Sequence, residues 1–119
     1  RYNTSAQRFR RTASRDFELH GETIRAGDKV MNCYGAANRD ERQFPDPDTY
    51  DIDRRPKQHL GMGTGKHVCI GAPFARMLVR TAMSAFHERI PEYHRIADQL
   101  DWIPSTTFRS PVALDLELP

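Results

Sequence analysis

Cysteine is scarce in this sequence: 119 residues hold only Cys33 and Cys69. The two form no Cys-x-x-Cys pair, which excludes a disulfide-rich framework and removes the usual spacing of a zinc knuckle. Long apolar runs are also missing. None approaches the about 18 residues that mark a membrane helix, and the start has no signal-peptide shape. A soluble, cytoplasmic protein of a reducing compartment, with no membrane role, is the expectation. Apolar residues are few, at 38%, and the mean hydropathy is −0.73, low for a chain that must fill its own core. The chain opens on Arg1 instead of Met, as processing, cleavage or truncation would leave it. We therefore read it as one part of a larger folded body.

Charge of one sign is not in excess either: 18 Lys and Arg face 16 Asp and Glu, for a net +2. The distribution says more than the balance. Arg8, Arg10, Arg11 and Arg15 form one basic cluster, and Arg54, Arg55 and Lys57 another. Such clusters bind nucleic-acid phosphates or receive the carboxylates of an organic cofactor. With neither a zinc-finger spacing nor a recognition-helix module in view, a nucleic-acid partner is not expected.

Local patterning predicts a small antiparallel unit near the start. Phe17-Glu18-Leu19 reads as a strand, His20-Gly21 as a turn and Thr23-Ile24 as a return strand; a further extended run covers Lys29 to Tyr34. Ala36 to Asp40 reads as a short helical turn. Phe44 to His59 is non-periodic, and Pro45, Pro47 and Pro56 argue against a long helix or a central strand. After a glycine loop, Ala75, Leu78, Val79, Ala82, Met83, Phe86 and Ile90 recur at the spacing of one packed helical face, predicting a helix over Ala72 to Glu88 that stops at Pro91. Leu114, Leu116 and Leu118 alternate as a short strand would.

The chemistry concentrates at Gly63-Thr64-Gly65-Lys66-His67-Val68-Cys69-Ile70-Gly71. Three glycines around one cysteine, ahead of a helix, describe a tight loop that presents one sulfur. Unpaired backbone N–H groups and the positive end of a helix dipole favour negative charge there, which suits a nucleophile or a metal ligand.

This stretch resembles the haem-binding loop of the cytochromes P-450, the haem-thiolate monooxygenases, whose signature Phe-Gly-x-Gly-x-His/Arg-x-Cys-x-Gly runs here from Met62 to Gly71. The likeness covers nearly the whole chain and is to the soluble bacterial type. It implies a mainly α fold with small β sheets, of which residues 1–119 form the C-terminal part. Within it, 1–34 is a helix end and β region, 35–59 a meander, 60–71 the cysteine-ligand loop, 72–90 the proximal helix and 91–119 a C-terminal loop and β region.

The resemblance implies haem b (heme b, iron protoporphyrin IX) as cofactor and Cys69 as the catalytic thiolate that ligates its iron. Arg11 and His67 are expected on the propionates, with Arg10 as the register competitor of Arg11. Met62, Gly63, Ile70, Gly71 and Ala75 complete the expected haem contacts, the N–H groups of Ile70 and Gly71 facing the sulfur. Thr106 and Phe108 are candidate substrate contacts. Arg1-Tyr2 is similar to the end of the family's Glu-x-x-Arg helix, and Arg54 to the second arginine of a buried Glu–Arg–Arg network.

The implied activity is insertion of one oxygen atom from O₂ into a small organic substrate. Electrons come from NAD(P)H through a reductase and a ferredoxin or flavodoxin-type donor, received around Lys66, Arg76 and Arg80. A peroxygenase or rearrangement enzyme, or a truncated and inactive haem-binding segment, are the alternatives. Two departures stand out: Met62 replaces the usual Phe, and no Ala/Gly-Gly-x-Asp/Glu-Thr oxygen-activation helix is present. That element is expected in a missing N-terminal part of the haem domain.

Other readings of the same residues fail on spacing. A phosphate loop ending at Gly65-Lys66 needs glycine where Leu60 stands and Ser or Thr where His67 stands, and a Rossmann fingerprint starting at Gly61 ends on Lys66. Cys33, His59, His67 and Cys69 have the chemistry of zinc ligands without a familiar paired spacing. A Cys69–His67 hydrolase or redox dyad needs facing side chains that proximity in sequence does not supply. Cys33 reads as a small apolar residue packed on a strand.

Overall fold

A computed structural model describes residues 1–55 and 58–119. Pro56 and Lys57, expected as a backbone break and part of a basic cluster, lie outside the described residues. The chain divides into two compact units, Arg1–Gly61 with Ser105–Arg109, and Met62–Pro104 with Ser110–Pro119.

In the first unit, β1 (Arg8–Thr12) pairs antiparallel with β4 (Lys29–Cys33), with Arg8 opposite Cys33 and Thr12 opposite Lys29. Phe9 and Arg11 are half-buried while Arg8, Arg10 and Thr12 are exposed, the alternation of a strand with one covered face. The ring of Phe9 meets those of Tyr34 at 5.9 Å and Phe108 at 6.0 Å. β2 (Phe17–Leu19) and β3 (Glu22–Ile24) form the hairpin legible in the sequence, turning through His20 and Gly21, both at positive φ. α1 (Tyr34–Ala37) follows β4 directly and ends at Asn38, whose N–H bonds to Tyr34 O at 2.9 Å.

Among the described residues the meander has no regular ladder, and arginines donate to several of its carbonyls. Arg1 donates to Asn38 O at 2.7 Å and Pro47 O at 3.0 Å, with its guanidinium 5.0 Å above the ring of Phe44. Arg54 donates to Pro45 O and to Asp46 O. Arg39 lies 4.2 Å above the ring of Tyr2, donates to Tyr2 O and pairs with Asp48.

In the second unit, the glycine loop contains a 3-10 turn (Gly65–His67) and leads into α2 (Ala72–Arg89). Pro73 sits in the first turn of α2, where its missing N–H costs nothing. The helix ends at Ile90, just before Pro91. β5 (His94–Arg95) and β6 (Leu116–Glu117) pair antiparallel, and a bridge joins Trp102 to Pro111. Phe86, His87 and Tyr93 form an aromatic cluster at the end of α2, with Phe86 and Tyr93 edge to face at 5.2 Å.

Two expectations need correction. Among the described residues the chain is not mainly α: α helices of four and 18 residues are nearly matched by strands of five, three, three, five, two and two, in three open two-stranded sheets. The mainly α expectation came from the resemblance as a whole, whereas this stretch contains one long helix amid hairpins and meander. The expected packed face of α2 is also largely bare. Leu78, Val79 and Met83 are exposed, as are Phe74 and Met77, and Ala72 is its one buried residue. Among the described residues the buried set is Phe44 and Ala72, with Thr4 and Asn38 as buried polar residues.

Candidate functional site

The loop ahead of α2 is shaped by two left-handed glycines and closed by its own backbone. Gly63 has φ +74, and a Cβ built on it would stand 2.6 Å from His67 O. Gly65 has φ +57 with open space around it. Glycine adopts such angles at no steric cost, which most other residues do not. Between them Thr64 is extended, and its carbonyl accepts the N–H of His67 at 3.1 Å. Val68 N–H bonds Gly65 O at 3.2 Å, and Cys69 N–H bonds Met62 O at 2.7 Å, pulling the two ends of the loop together. Cys69 O then accepts Ala72 N–H at 3.1 Å, and Gly71 O accepts Ala75 N–H at 2.8 Å as α2 begins.

The result is a free, exposed Cys69 thiol at the head of a helix. Val68, Ile70 and Phe74 around it are exposed apolar side chains, Ile70 fully so. Met62, Gly63, Gly71 and Ala75 are half-buried, and His67 is exposed. A Cβ at Gly71 would lie 3.8 Å from the sulfur, ordinary contact. Second-unit candidates Met62, Gly63, His67, Cys69, Ile70, Gly71 and Ala75 thus share one continuous loop-to-helix element. Among the described residues no three His, Cys, Asp or Glu gather as metal ligands. The thiol, the surrounding apolar side chains and the absent Cβ atoms fit a flat apolar macrocycle with a central iron.

In the first unit, β1 separates Arg11 from its register competitor. Arg11 is on the half-buried face with Phe9, opposite Val30, while Arg10 is on the exposed face, opposite Met31. Thr106 and Phe108 lie beside the same strand: Thr106 O accepts from Arg8 Nε, Gln7 N–H bonds Thr107 O at 2.8 Å, and Phe108 bridges to Ala6. Cys33 closes β4 but is exposed, so the packed role read from the sequence does not describe it here.

Electrostatics in this unit centre on the arginines. Burial lowers the Arg1 pKa from its ordinary value, and the positive charges of Arg54 and Arg39 lower it further. The Arg54 Nε is buried with no hydrogen-bond partner among the described residues. Asp40 is held at about 2, chiefly by hydrogen bonds from the Arg42 side chain and then from its backbone.

Sequence reasoning missed Asn38. It is fully buried, and every polar group it carries is engaged. The one signal was an Asn following a short helical stretch, a common place for a cap.

The profile of the cytochrome P450 family matches residues 1–89. This chain belongs to that family. It is 46% identical over 109 residues to the mycinamicin IV hydroxylase/epoxidase of Micromonospora griseorubida, covering 89% of this chain and 27% of that protein. To the biotin biosynthesis cytochrome P450 of Bacillus subtilis it is 38% identical over 110 residues, 92% of this chain and 28% of that protein. The chain thus spans about a quarter of the length of the curated relatives it matches. Among solved structures, a P450 in complex with a hexadec-9Z-enoic acid-ligated acyl carrier protein superposes with a TM-score of 0.92 at 37% identity. The match covers 99% of this chain and 31% of that one. A tirandamycin C-bound P450 monooxygenase gives 0.92 at 31% identity, over 99% and 30%. No helix among the described residues is long and apolar enough to cross a membrane.

Proposed function

We propose that the complete protein carrying this chain is a cytoplasmic haem-thiolate monooxygenase that inserts one oxygen atom from O₂ into a small organic substrate. The observation that carries the reading is the exposed Cys69 thiol at the apex of a self-closed glycine loop, at the head of α2. Haem b bound there supplies the redox-active iron at which oxygen chemistry takes place. Cys69, as the thiolate, would hold that iron through Sγ. The open backbone at Gly63, Gly65 and Gly71 lets the macrocycle approach, and Met62, Val68, Ile70 and Ala75 exclude water on that side.

Arg11 and His67 donate hydrogen bonds to the two propionates, Arg11 with the fork geometry suited to a carboxylate. The half-buried face of β1 supports Arg11 over Arg10 for this role. Thr106 and Phe108, with Phe9 behind Phe108, contribute to substrate contact. Exposed Lys66, Arg76 and Arg80 receive an acidic ferredoxin or flavodoxin that relays electrons from NAD(P)H through its reductase. The unpartnered Arg54 Nε supports a carboxylate, supplied by the N-terminal part of the haem domain, completing a network with Arg1. The same N-terminal part supplies the groups that deliver protons to oxygen.

The test is the absorption of the reduced CO complex of the complete protein. Wild type and Cys33→Ala give the thiolate-type Soret band, and Cys69→Ala loses it. Retention of that band in Cys69→Ala overturns the ligand assignment. Turnover supported by peroxide but not by the reductase chain would replace the monooxygenase reading with the peroxygenase one.

A further inference from the structure

We infer that Asn38 is a positioning residue for the cysteine loop, acting through the backbone of Leu60; the inference rests on Cys69 as the iron ligand. Few of the described residues are buried, and Asn38 has no exposed surface at all. Its side-chain Nδ2 donates to Thr4 Oγ1 at 2.7 Å, and its Oδ1 accepts the N–H of Leu60 at 2.7 Å. Thr4, itself buried, donates its hydroxyl hydrogen to Arg1 O at 2.8 Å, and Arg1 returns a guanidinium hydrogen bond to Asn38 O. The backbone N–H of Asn38 caps α1 through Tyr34 O.

One amide therefore ties three stretches of the first unit together: the end of α1, residues 1–4, and the chain at Leu60. Leu60 matters because it stands at the entrance to the cysteine loop. Gly61, next in the chain, bonds His59 Nδ1 through its N–H at 3.1 Å, and the residue after that is Met62, whose carbonyl holds Cys69 N–H. Leu60 is thus the last backbone tied to a distant side chain before the loop. A planar amide makes both bonds at once, one atom donating to Thr4 and the other accepting from Leu60, and the accepting atom is the one that reaches the loop entrance. Removing it takes away the donor to Thr4 Oγ1 and leaves the Leu60 N–H unpaired, freeing the chain entering the loop, while every contact within the loop and every group facing the macrocycle is untouched. Residues that orient a ligand from outside its immediate surroundings tune affinity and spectrum in this manner.

The experiment uses the complete haem-loaded protein with Asn38→Ala, Asn38→Asp and Thr4→Val, and Cys69→Ala as reference. Asn38→Asp keeps an acceptor for Leu60; Thr4→Val unpairs Nδ2 but leaves the Leu60 bond. Asn38→Ala is expected to lose haem roughly tenfold faster and to shift the thiolate-type CO band towards the thiol-ligated form. Asn38→Asp restores both towards wild type, and Thr4→Val lowers thermal stability while leaving the band in place. If Asn38→Ala yields no holoprotein, Leu60→Pro, which removes the donated N–H, takes its place with the same expected shift. A band and haem-loss rate unchanged in the tested variant, or shifted equally in Thr4→Val, overturns the inference while Cys69→Ala still loses the band. A band retained in Cys69→Ala overturns the haem reading itself.

Discussion

Gly63→Ala isolates the geometry that presents the sulfur. An L side chain at φ +74 costs about 1–2 kcal/mol for the left-handed backbone. The added Cβ would also stand 2.6 Å from His67 O, a backbone atom that cannot swing aside, so the loop itself has to move. Overpacking of that kind adds about 1–3 kcal/mol, for a total of about 2–5 kcal/mol. Gly65→Ala is the internal control: its φ of +57 carries the same backbone cost with nothing within 4 Å of the new methyl. The difference between the two variants, about 2 kcal/mol, corresponds to roughly thirtyfold in the folded-to-open ratio of the loop. Urea unfolding of the complete protein, followed by far-UV circular dichroism and by the thiolate-type CO band, measures it. Gly63→Ala is expected to lose the band at lower urea than Gly65→Ala. If the two variants unfold together, the clash with His67 O does not govern the loop and the reasoning fails.

Three further outcomes concern the first unit. Asp40, at about 2 against an ordinary 3.8, contributes to stability fully above about pH 4 and loses that contribution as pH falls through about 2; NMR titration of its carboxylate should show this midpoint, and Arg42→Ala should return it towards 3.8. His20→Asn, at φ 52 before Gly21, builds the Asn-Gly turn that hairpins favour and should raise the melting temperature, worth a few tenths of a kcal/mol. A double-mutant cycle on Phe9 and Phe108, whose rings meet edge to face at 6.0 Å, should give a coupling of about 0.5–1.5 kcal/mol, and a coupling near zero would remove Phe9 from the account of that surface.

What was legible in the sequence was local. Phe17 to Ile24 shows its hairpin because alternation and turn residues lie within one short window, and α2 shows itself through the spacing from Ala75 to Phe86. The cysteine loop was readable as a motif because glycine is required at fixed positions, two of which carry positive φ. β1 was not read as a strand, since Arg-Phe-Arg-Arg-Thr puts charge on both faces and reveals its alternation only once paired with β4. β5 was equally silent: His94-Arg95 is a strand only by virtue of Leu116-Glu117, far along the chain. α1 begins at Tyr34, where an extended run was expected to continue, because the chain turns helical immediately after β4. The helix-rich expectation failed for a different reason, since composition inherited from a resemblance says little about one quarter of a chain. Asn38 was invisible because its importance lies in four partners, three of them remote in sequence.

The three two-stranded sheets among the described residues also differ in how much chain each must close. β2 and β3 meet across His20-Gly21 alone, so their pairing is a local event on the scale of about 1–10 μs. β1 and β4 enclose that hairpin between them, so its formation shortens the effective loop that their pairing has to close. β5 and β6 enclose the irregular stretch around the Trp102–Pro111 bridge, with much less regular structure to shorten the way. The hairpin at Phe17–Ile24 therefore shortens, once formed, the closure that sets Arg11 opposite Val30 on β1.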